Sequence, residues 1–469
     1  MTDVDIFFNP KSMAVIGASE NPRKGGNIVI RNLLDFGYKG KIYPVNPKVG
    51  SAGGEILGLT AYDSVASIPE GPELAMIVIP RDLVPKAVSE CGEAGVKGII
   101  ISTAGFSDSG EEAGVNLEAE IKKSISKYNL RIMGPNSIGT INVKDSFVTS
   151  ITTLDKPKKR GSVSFFGQTG MFASGFFRWI TSSQNFSIAK VACLGNKADI
   201  DECDILEYLG RDTETDVVGI YFEGVRDGRR FIDTAREVTR KKPVVVLKSG
   251  RTETGARAIS SHTGTLAGSD KIYDGVFGAS GLVRVEDFDH FYDALKAFSY
   301  VPLPMGNRLG VVSITGVGCV LTADYAGAHG LVIPSLSDSA KKEMREVFPD
   351  WASVGNPVDM WFAIENVGPK KAYEVLIKKL AADDRFDIIL IIFTLIPESD
   401  FDAVEVISKI RDENPDKVFL ACFMAGELSM YRRWYSEFEE KKIPVFPDPG
   451  RMVRAAASLY RYSEFKEKS

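Results

Sequence analysis

The chain has three histidines, and one of them sits among residues that suit phosphoryl transfer. His262 lies in AISSHTGTLAG (Ala258–Gly268), flanked by Ser260, Ser261, Thr263, Gly264 and Thr265, ahead of a helical pattern. Small hydroxyl residues and glycines leave an imidazole room to meet a bulky charged group. They also leave backbone N–H groups free for that group's oxygens. Taken alone, the segment reads more readily as a loop histidine with no task. Two other segments change the balance. Gly167-Gln168-Thr169-Gly170 follows the apolar run Ser162–Phe166 and is expected to open a helix, which predicts an anion-binding N-terminus. Glu223 ends the run Val217–Phe222 in YFEG, a strand-end position. A carboxylate bonded to one ring nitrogen fixes the tautomer and leaves the other nitrogen as nucleophile. Nucleophile, orienting carboxylate and oxyanion cradle together describe a phosphoryl-accepting site. No GxxxxGK[ST] loop, Ser-His-Asp order or metal-ligand cluster competes with it. His290 in FDHFYDAL and His329 in AGAHGL lie on helical patterns and are assigned packed or solvated structural roles.

A second set of strand ends lies near the N-terminus. MAVIGASENPRKGGNIVIRNLL predicts a strand, a tight turn at Gly17-Ala18-Ser19 and a helix, a geometry that aims N–H groups at phosphate. The full GxGxxG fingerprint is missing, as is the ribose-binding acid about 20 residues on. Asp35 has that distance but precedes the second strand, Lys41–Val45, which runs into Asn46-Pro47-Lys48. A lysine there suits an extra phosphate, as on CoA or NADP; a structural turn with a surface lysine fits the same residues equally. Further polar strand ends are VIPR (Val78–Arg81), STAGFS (Ser102–Ser107) and GPNSIG (Gly134–Gly139). Ligands of open parallel sheets bind beyond such ends, although loop closure alone would also account for each.

The elements that must carry these turns alternate almost throughout. Short β-branched runs such as Met13–Ile16, Ala75–Ile79, Gly98–Ile101 and Leu130–Met133 are separated by longer amphipathic segments. That pattern predicts an α/β protein with parallel sheets buried on both faces. Two seams lack periodicity, Leu154–Gly161 (LDKPKKRG) and Tyr300–Asn307 (YVPLPMGN). They divide the chain into 1–153, 160–300 and 307–469, in line with roughly 150 residues per domain. The second and third units both open with a strand and a Gly/Thr-rich turn, which suggests an internal duplication.

Composition excludes other classes. A net charge of -5 with 25% charged residues argues against a general nucleic-acid or membrane-surface binder. Cys91, Cys193, Cys203, Cys319 and Cys422 are scattered, as expected of reduced thiols, and give no zinc signature. MTDVDIFFNP has acids where a signal peptide carries basic residues, and the longest apolar run, around Ile388 to Ile396, is far short of a membrane span. A cytoplasmic protein is expected.

The order GAS, VNPK, GPN, GQTG, GNKAD (Gly195–Asp199), FEG, SHTGTLAG and NPVD (Asn356–Asp359) resembles NDP-forming acyl-CoA synthetases, the group that includes the succinyl-CoA synthetase superfamily. Within it the chain is most similar to α subunits of archaeal ADP-forming acetyl-CoA synthetases. The resemblance spans nearly the whole chain; SHTGTLAG with FEG is specific, whereas GAS and GPN alone are weak. It implies a Rossmann-like CoA-binding domain followed by two flavodoxin-like parallel-sheet domains, the first of which bears a phosphorylated histidine. By resemblance, Gly17, Ala18, Ser19, Lys48, Ser102, Thr103 and Ala104 hold CoA. His262 takes the phosphoryl group and Glu223 orients it, with Gly167, Gln168, Thr169, Gly170, Thr263, Gly264 and Thr265 as the phosphate cradle. The implied reaction converts acyl-CoA, ADP and phosphate to acid, ATP and CoA through an acyl phosphate and phosphohistidine.

The family also needs an ATP-grasp module, and the three α/β units leave no room for one. ADP/ATP with Mg2+ is therefore expected on a separate β subunit, in an α2β2 assembly, with no metal in this chain. Some relatives carry an acetyltransferase domain instead, and none is apparent here. Ala104-Gly105-Phe106 replaces the acidic pocket loop of succinyl-CoA synthetase, which implies a small or apolar acyl group such as acetyl. Two rivals remain at this stage. An NADP-dependent oxidoreductase leaves SHTGTLAG unexplained, and a non-catalytic CoA-binding regulatory protein has no need of His262.

Overall fold

The computed structural model describes residues 4–157, 159–263, 268–397 and 401–469, the side chains of 260–263 excepted. The chain divides into two compact units, Met1–Arg284 and Val285–Ser469. The first holds two sheets. Its N-terminal sheet contains β1 (Ser12–Ile16), β2 (Lys41–Val45), β3 (Leu74–Ile77), β4 (Gly98–Ile101) and β5 (Arg131–Met133), all parallel, in the order β2-β1-β3-β4-β5. β1, β3 and β4 are buried along their whole length, which is why they read as unbroken apolar runs. Pro44 falls on the edge strand β2, where a missing N–H costs no ladder bond.

The second sheet of this unit runs β6 (Gly139–Asn142), β7 (Phe147–Val148), β8 (Val163–Gly167), β9 (Ile188–Cys193), β10 (Val217–Phe222), β11 (Val244–Lys248) and β12 (Val283–Val285), in the order β12-β11-β10-β8-β9-β6-β7. β8 pairs in parallel with β9 and β10, while β6 adds antiparallel to β9. Residues 139–148 precede the Leu154–Gly161 seam, yet supply two strands to this sheet. In both sheets chain order reverses direction across one strand. From β1 the chain goes first to β2 on one side and then to β3 on the other; from β8 it goes to β9 and then to β10. Such switch points leave a crevice beyond the strand ends.

The second unit is built on a parallel sheet of β13 (Leu309–Ser313), β14 (Val358–Asp359), β15 (Ile388–Leu395), β16 (Val418–Gly426) and β17 (Val445–Phe446), in the order β14-β13-β15-β16-β17. Helix Phe288–Tyr300 lies against the long helix Pro449–Lys468. Arg451 makes a two-pronged ion pair with buried Asp293 at 2.6 and 2.9 Å. His290 is buried there with Nε2 3.0 Å from Ser458 Oγ, and burial pushes its imidazole down to about 4. The helix Gly316–Ala328 turns small residues inward (Gly318, Cys319, Thr322, Ala326), while Val317, Val320, Leu321 and Tyr325 face outward. Among the described residues no helix is long and apolar enough to cross a membrane.

Candidate active site

Turns from four strand ends meet beyond the β8 switch point. At the end of β8, a Cβ on Gly167 would lie 2.5 Å from the Tyr221 carbonyl oxygen, so only glycine fits the approach of β10. Gln168 is buried, and its side-chain oxygen accepts from the N–H groups of Glu223 (2.9 Å) and Gly224 (3.3 Å). Thr169 caps a 3-10 turn, Gly170–Ala173, by accepting from Met171 N–H at 3.2 Å. The expected α-helix does not open at this turn. Ser174 has non-helical dihedrals, its hydroxyl donates to Gly170 O (2.9 Å), and the α-helix begins at Gly175.

Glu223 ends β10 and is 4% exposed, with the Tyr221 hydroxyl reaching its Oε1 at 3.5 Å. Ser249 Oγ in turn donates to that hydroxyl (2.8 Å), and burial holds the phenol above its ordinary value. On the neighbouring strand end Lys248 is 2% exposed, with its ammonium 4.7 Å from the centre of the Tyr273 ring. Burial pushes this lysine down to about 8, against the pull of Asp270 and Glu223.

The histidine expected to react lies in the last turn of helix Glu253–Thr263. The sequence placed it in a loop. The helix instead continues through Ala258–Thr263. The side chains of His262 and Thr263, and Gly264 and Thr265 entirely, lie outside the described residues. This helix packs against the turn Ser107–Ser109 of the N-terminal sheet.

The residues expected to hold CoA follow three different strands of that sheet, β1, β2 and β4. Gly17 has φ +96°, and a Cβ there would meet Val78 O at 2.2 Å. Gly17 and Ala18 N–H donate to Val45 O, and the Ala18 and Ser19 carbonyls accept from Asn46 and Asn27, each at 2.8 Å. Lys48 follows β2, exposed, in a short turn capped by Asn46. Ser102, Thr103 and Ala104 leave β4, with Thr103 Oγ1 donating to Ile79 O at 2.6 Å. Arg81 lies over Gly105 and donates to its carbonyl at 3.0 Å.

One loop that sequence reasoning quoted without a role joins these two sets of turns. Asn196 Nδ2 donates to Asp108 Oδ1 at 2.7 Å, and Asp108 also accepts from Gly105 and Phe106 N–H. Burial would raise the Asp108 carboxyl, but these three bonds hold it below the usual carboxylate range. The next residue, Lys197, is buried and donates to Glu202 Oε2 and Gly224 O, both at 2.9 Å. The only sequence signal was a lysine between a glycine turn and a run of acids, Asp199, Asp201, Glu202 and Asp204. Among the described residues no group of His, Cys, Asp and Glu is arranged to hold a metal.

Comparison with known proteins agrees with this layout. Residues 11–142 match a family described as a CoA binding domain, and residues 160–298 match a succinyl-CoA ligase like flavodoxin domain. The chain is 38% identical to the acetate–CoA ligase [ADP-forming] II subunit alpha of Pyrococcus furiosus, over 98% of each protein. It is 39% identical to the acetate–CoA ligase [ADP-forming] II of Archaeoglobus fulgidus, over 83% of this chain but 57% of that protein. The solved dinucleotide forming acetyl-coenzyme A synthetase 1 of Ca. Korarchaeum cryptofilum, in complex with phosphate and ADP, superposes with a TM-score of 0.88. That match has 31% sequence identity and covers 100% of this chain and 98% of the other.

Proposed function

Because the chain belongs to the family of ADP-forming acetate–CoA ligases, we propose that it is the α-type subunit that makes an acyl phosphate from acyl-CoA and carries the phosphoryl group on His262. Gly17, Ala18, Ser19, Lys48 and Ser102–Ala104 hold CoA at the first switch point. A phosphate oxygen attacks the acyl carbonyl, the C–S bond breaks, and the thiolate takes the proton that phosphate gives up. A ring nitrogen of His262 then attacks phosphorus. The P–N bond forms as the P–O bond to the acyl oxygen breaks, and the acid leaves as its carboxylate. Glu223 orients the ring by accepting from its other nitrogen, and the turns 167–170 and 263–265 cradle the phosphoryl oxygens.

The observation that carries this proposal is the buried Glu223, held at a strand end between Gln168 and Lys197 at a parallel-sheet switch point. Three functional segments, 1–153, 160–300 and 307–469, belong to the same proposal. So does an ATP-grasp β partner that binds ADP with Mg2+, in an α2β2 assembly, with acetyl as the acyl group. Support for a partner comes from the A. fulgidus relative, of which this chain spans 57%. The cysteines, all buried free thiols, support a cytoplasmic setting. Incubating the assembled enzyme with acetyl-CoA and labelled phosphate should add an acid-labile phosphate that His262→Ala lacks. Label retained in that variant would reject the assignment.

A further inference from the structure

Two adjacent residues reach toward the two half-reactions. Asn196 faces the loop that follows Ser102–Ala104, where it supplies the third hydrogen bond to Asp108; the other two, from Gly105 (3.0 Å) and Phe106 (2.9 Å), set the shape of that loop. Lys197 has φ +56°, rare outside glycine, and its side chain runs to the turn that carries Glu223. There the Glu223–Gly224 peptide is held from both sides. Gln168 accepts from its two N–H groups, and Lys197 donates to the Gly224 carbonyl. Glu202 fixes the ammonium from beneath with Oε2, and its Oε1 accepts from Arg226 N–H at 2.7 Å. Arg226 closes the circuit by donating to the Lys197 carbonyl at 2.9 Å.

We propose that Asn196 and Lys197 are positioning residues that couple the acyl-CoA loop to the histidine-orienting glutamate. The inference rests on the role proposed above for Glu223. Its physical basis is that Lys197 and Glu202 are 7% and 0% exposed. A buried ion pair adds little net stability over an apolar pair of the same shape, and it holds its place through geometry. Here that geometry fixes a carboxylate that must meet a ring nitrogen at hydrogen-bond distance, where small displacements are expensive in rate. A displacement of the loop at Gly105–Asp108 pulls on Asn196, and through one peptide bond on Lys197 and Gly224. The acyl-bound and phosphoryl-accepting geometries therefore move together.

The test separates the half-reactions in the chain assembled with its partner subunit. Acetyl phosphate phosphorylates the histidine without the thioester step, and CoA release from acetyl-CoA and phosphate reports that step. Lys197→Met is expected to lower the rate of phosphohistidine formation from acetyl phosphate by about tenfold or more, while the KM for acetyl-CoA shifts less than about threefold. For Asn196→Ala the loss is expected to be larger in the acetyl-CoA half than in the acetyl phosphate half, through a raised KM. Should Lys197→Met fail to fold, Glu202→Gln keeps the shape, removes the charge that holds the ammonium, and is scored on the same split. Equal losses in both halves for both variants, or wild-type phosphorylation rates in Lys197→Met, would overturn the coupling. Wild-type enzyme that forms no phosphohistidine from acetyl phosphate rejects the histidine assignment itself, which is a separate outcome.

Discussion

A buried ammonium with no carboxylate in its direct hydrogen bonds is a cost to folding, and among the described residues Lys248 is such a group. Its described donor contact is the Ser249 carbonyl, and the Tyr273 ring lies beside it, with Asp270 and Glu223 acting only at a distance. Its value of about 8 lies below the ordinary 10.5. The unfolded chain thus binds more protons between pH 8 and 10.5, and stability rises with pH across that window. Below pH 8 the full penalty applies, on the order of 3 kcal/mol. Lys248→Met is therefore expected to raise the melting temperature at pH 7, with the gain shrinking as pH approaches 10; a gain independent of pH would contradict this. Glu223→Gln keeps the hydrogen bonds of the turn but removes the charge. It is expected to cut phosphohistidine yield at least about tenfold with CoA affinity unchanged, measured by labelling and by calorimetric titration. Glu223 was legible in the sequence because a polar residue that closes an apolar run marks the end of a buried strand. The direction of Gln168 was not. Its partners lie 55 and 56 residues on, and spacing within GQTG says nothing about a turn contributed by another strand.

Elements were read more completely than their junctions. Strands buried on both faces announce themselves as apolar runs, so the α/β class followed directly, and β1, β4 and β10 lie close to where the pattern placed them. Junctions depend on single side chains. Ser174 delays a helix by turning its hydroxyl back on Gly170, and nothing in its identity distinguishes that from a helical serine. The glycines and hydroxyls around His262 suggested a loop, but the helix Glu253–Thr263 runs through Ser260, Ser261 and Thr263. Helix Glu202–Arg211 opens on a junction fixed by two side chains acting together. Asp201 and Asp204 form a reciprocal capping box, and Arg230 reaches Asp201 at 3.2 Å. Asp201→Ala is expected to destabilise by about 1–2 kcal/mol, read from the urea midpoint. Because Glu202 is the first residue of that helix, turnover should fall further than the lost stability alone explains.

For the molecule as a whole, two measurements bear on its chemistry and its company. All five cysteines are buried; burial pushes Cys91, Cys193 and Cys319 up to about 12 and the other two higher still. Ellman's reagent at pH 8 is expected to find almost no reactive thiol in the native protein and five in denaturant. Fast reaction of even one native thiol would show a site more open than the structure allows. The second measurement is ATP formation from acetyl-CoA, ADP and phosphate. The purified chain is expected to give none, and an ATP-grasp subunit to restore it. Robust turnover by the chain alone would mean a nucleotide site within these 469 residues.

The turn after β1 carries an implication for how such chains diverge. A Cβ at Gly17 would fall 2.2 Å from Val78 O, and one at Gly26 2.1 Å from Gly17 O. The strand, the turn and the helix behind it can close only while both positions lack a side chain. A descendant that abandoned its ligand would still have to retain both glycines in order to fold. Their persistence in a distant sequence thus records architecture and carries no information about what is bound. Drift in ligand preference would be written in exposed neighbours such as Lys48, where a substitution leaves the scaffold intact.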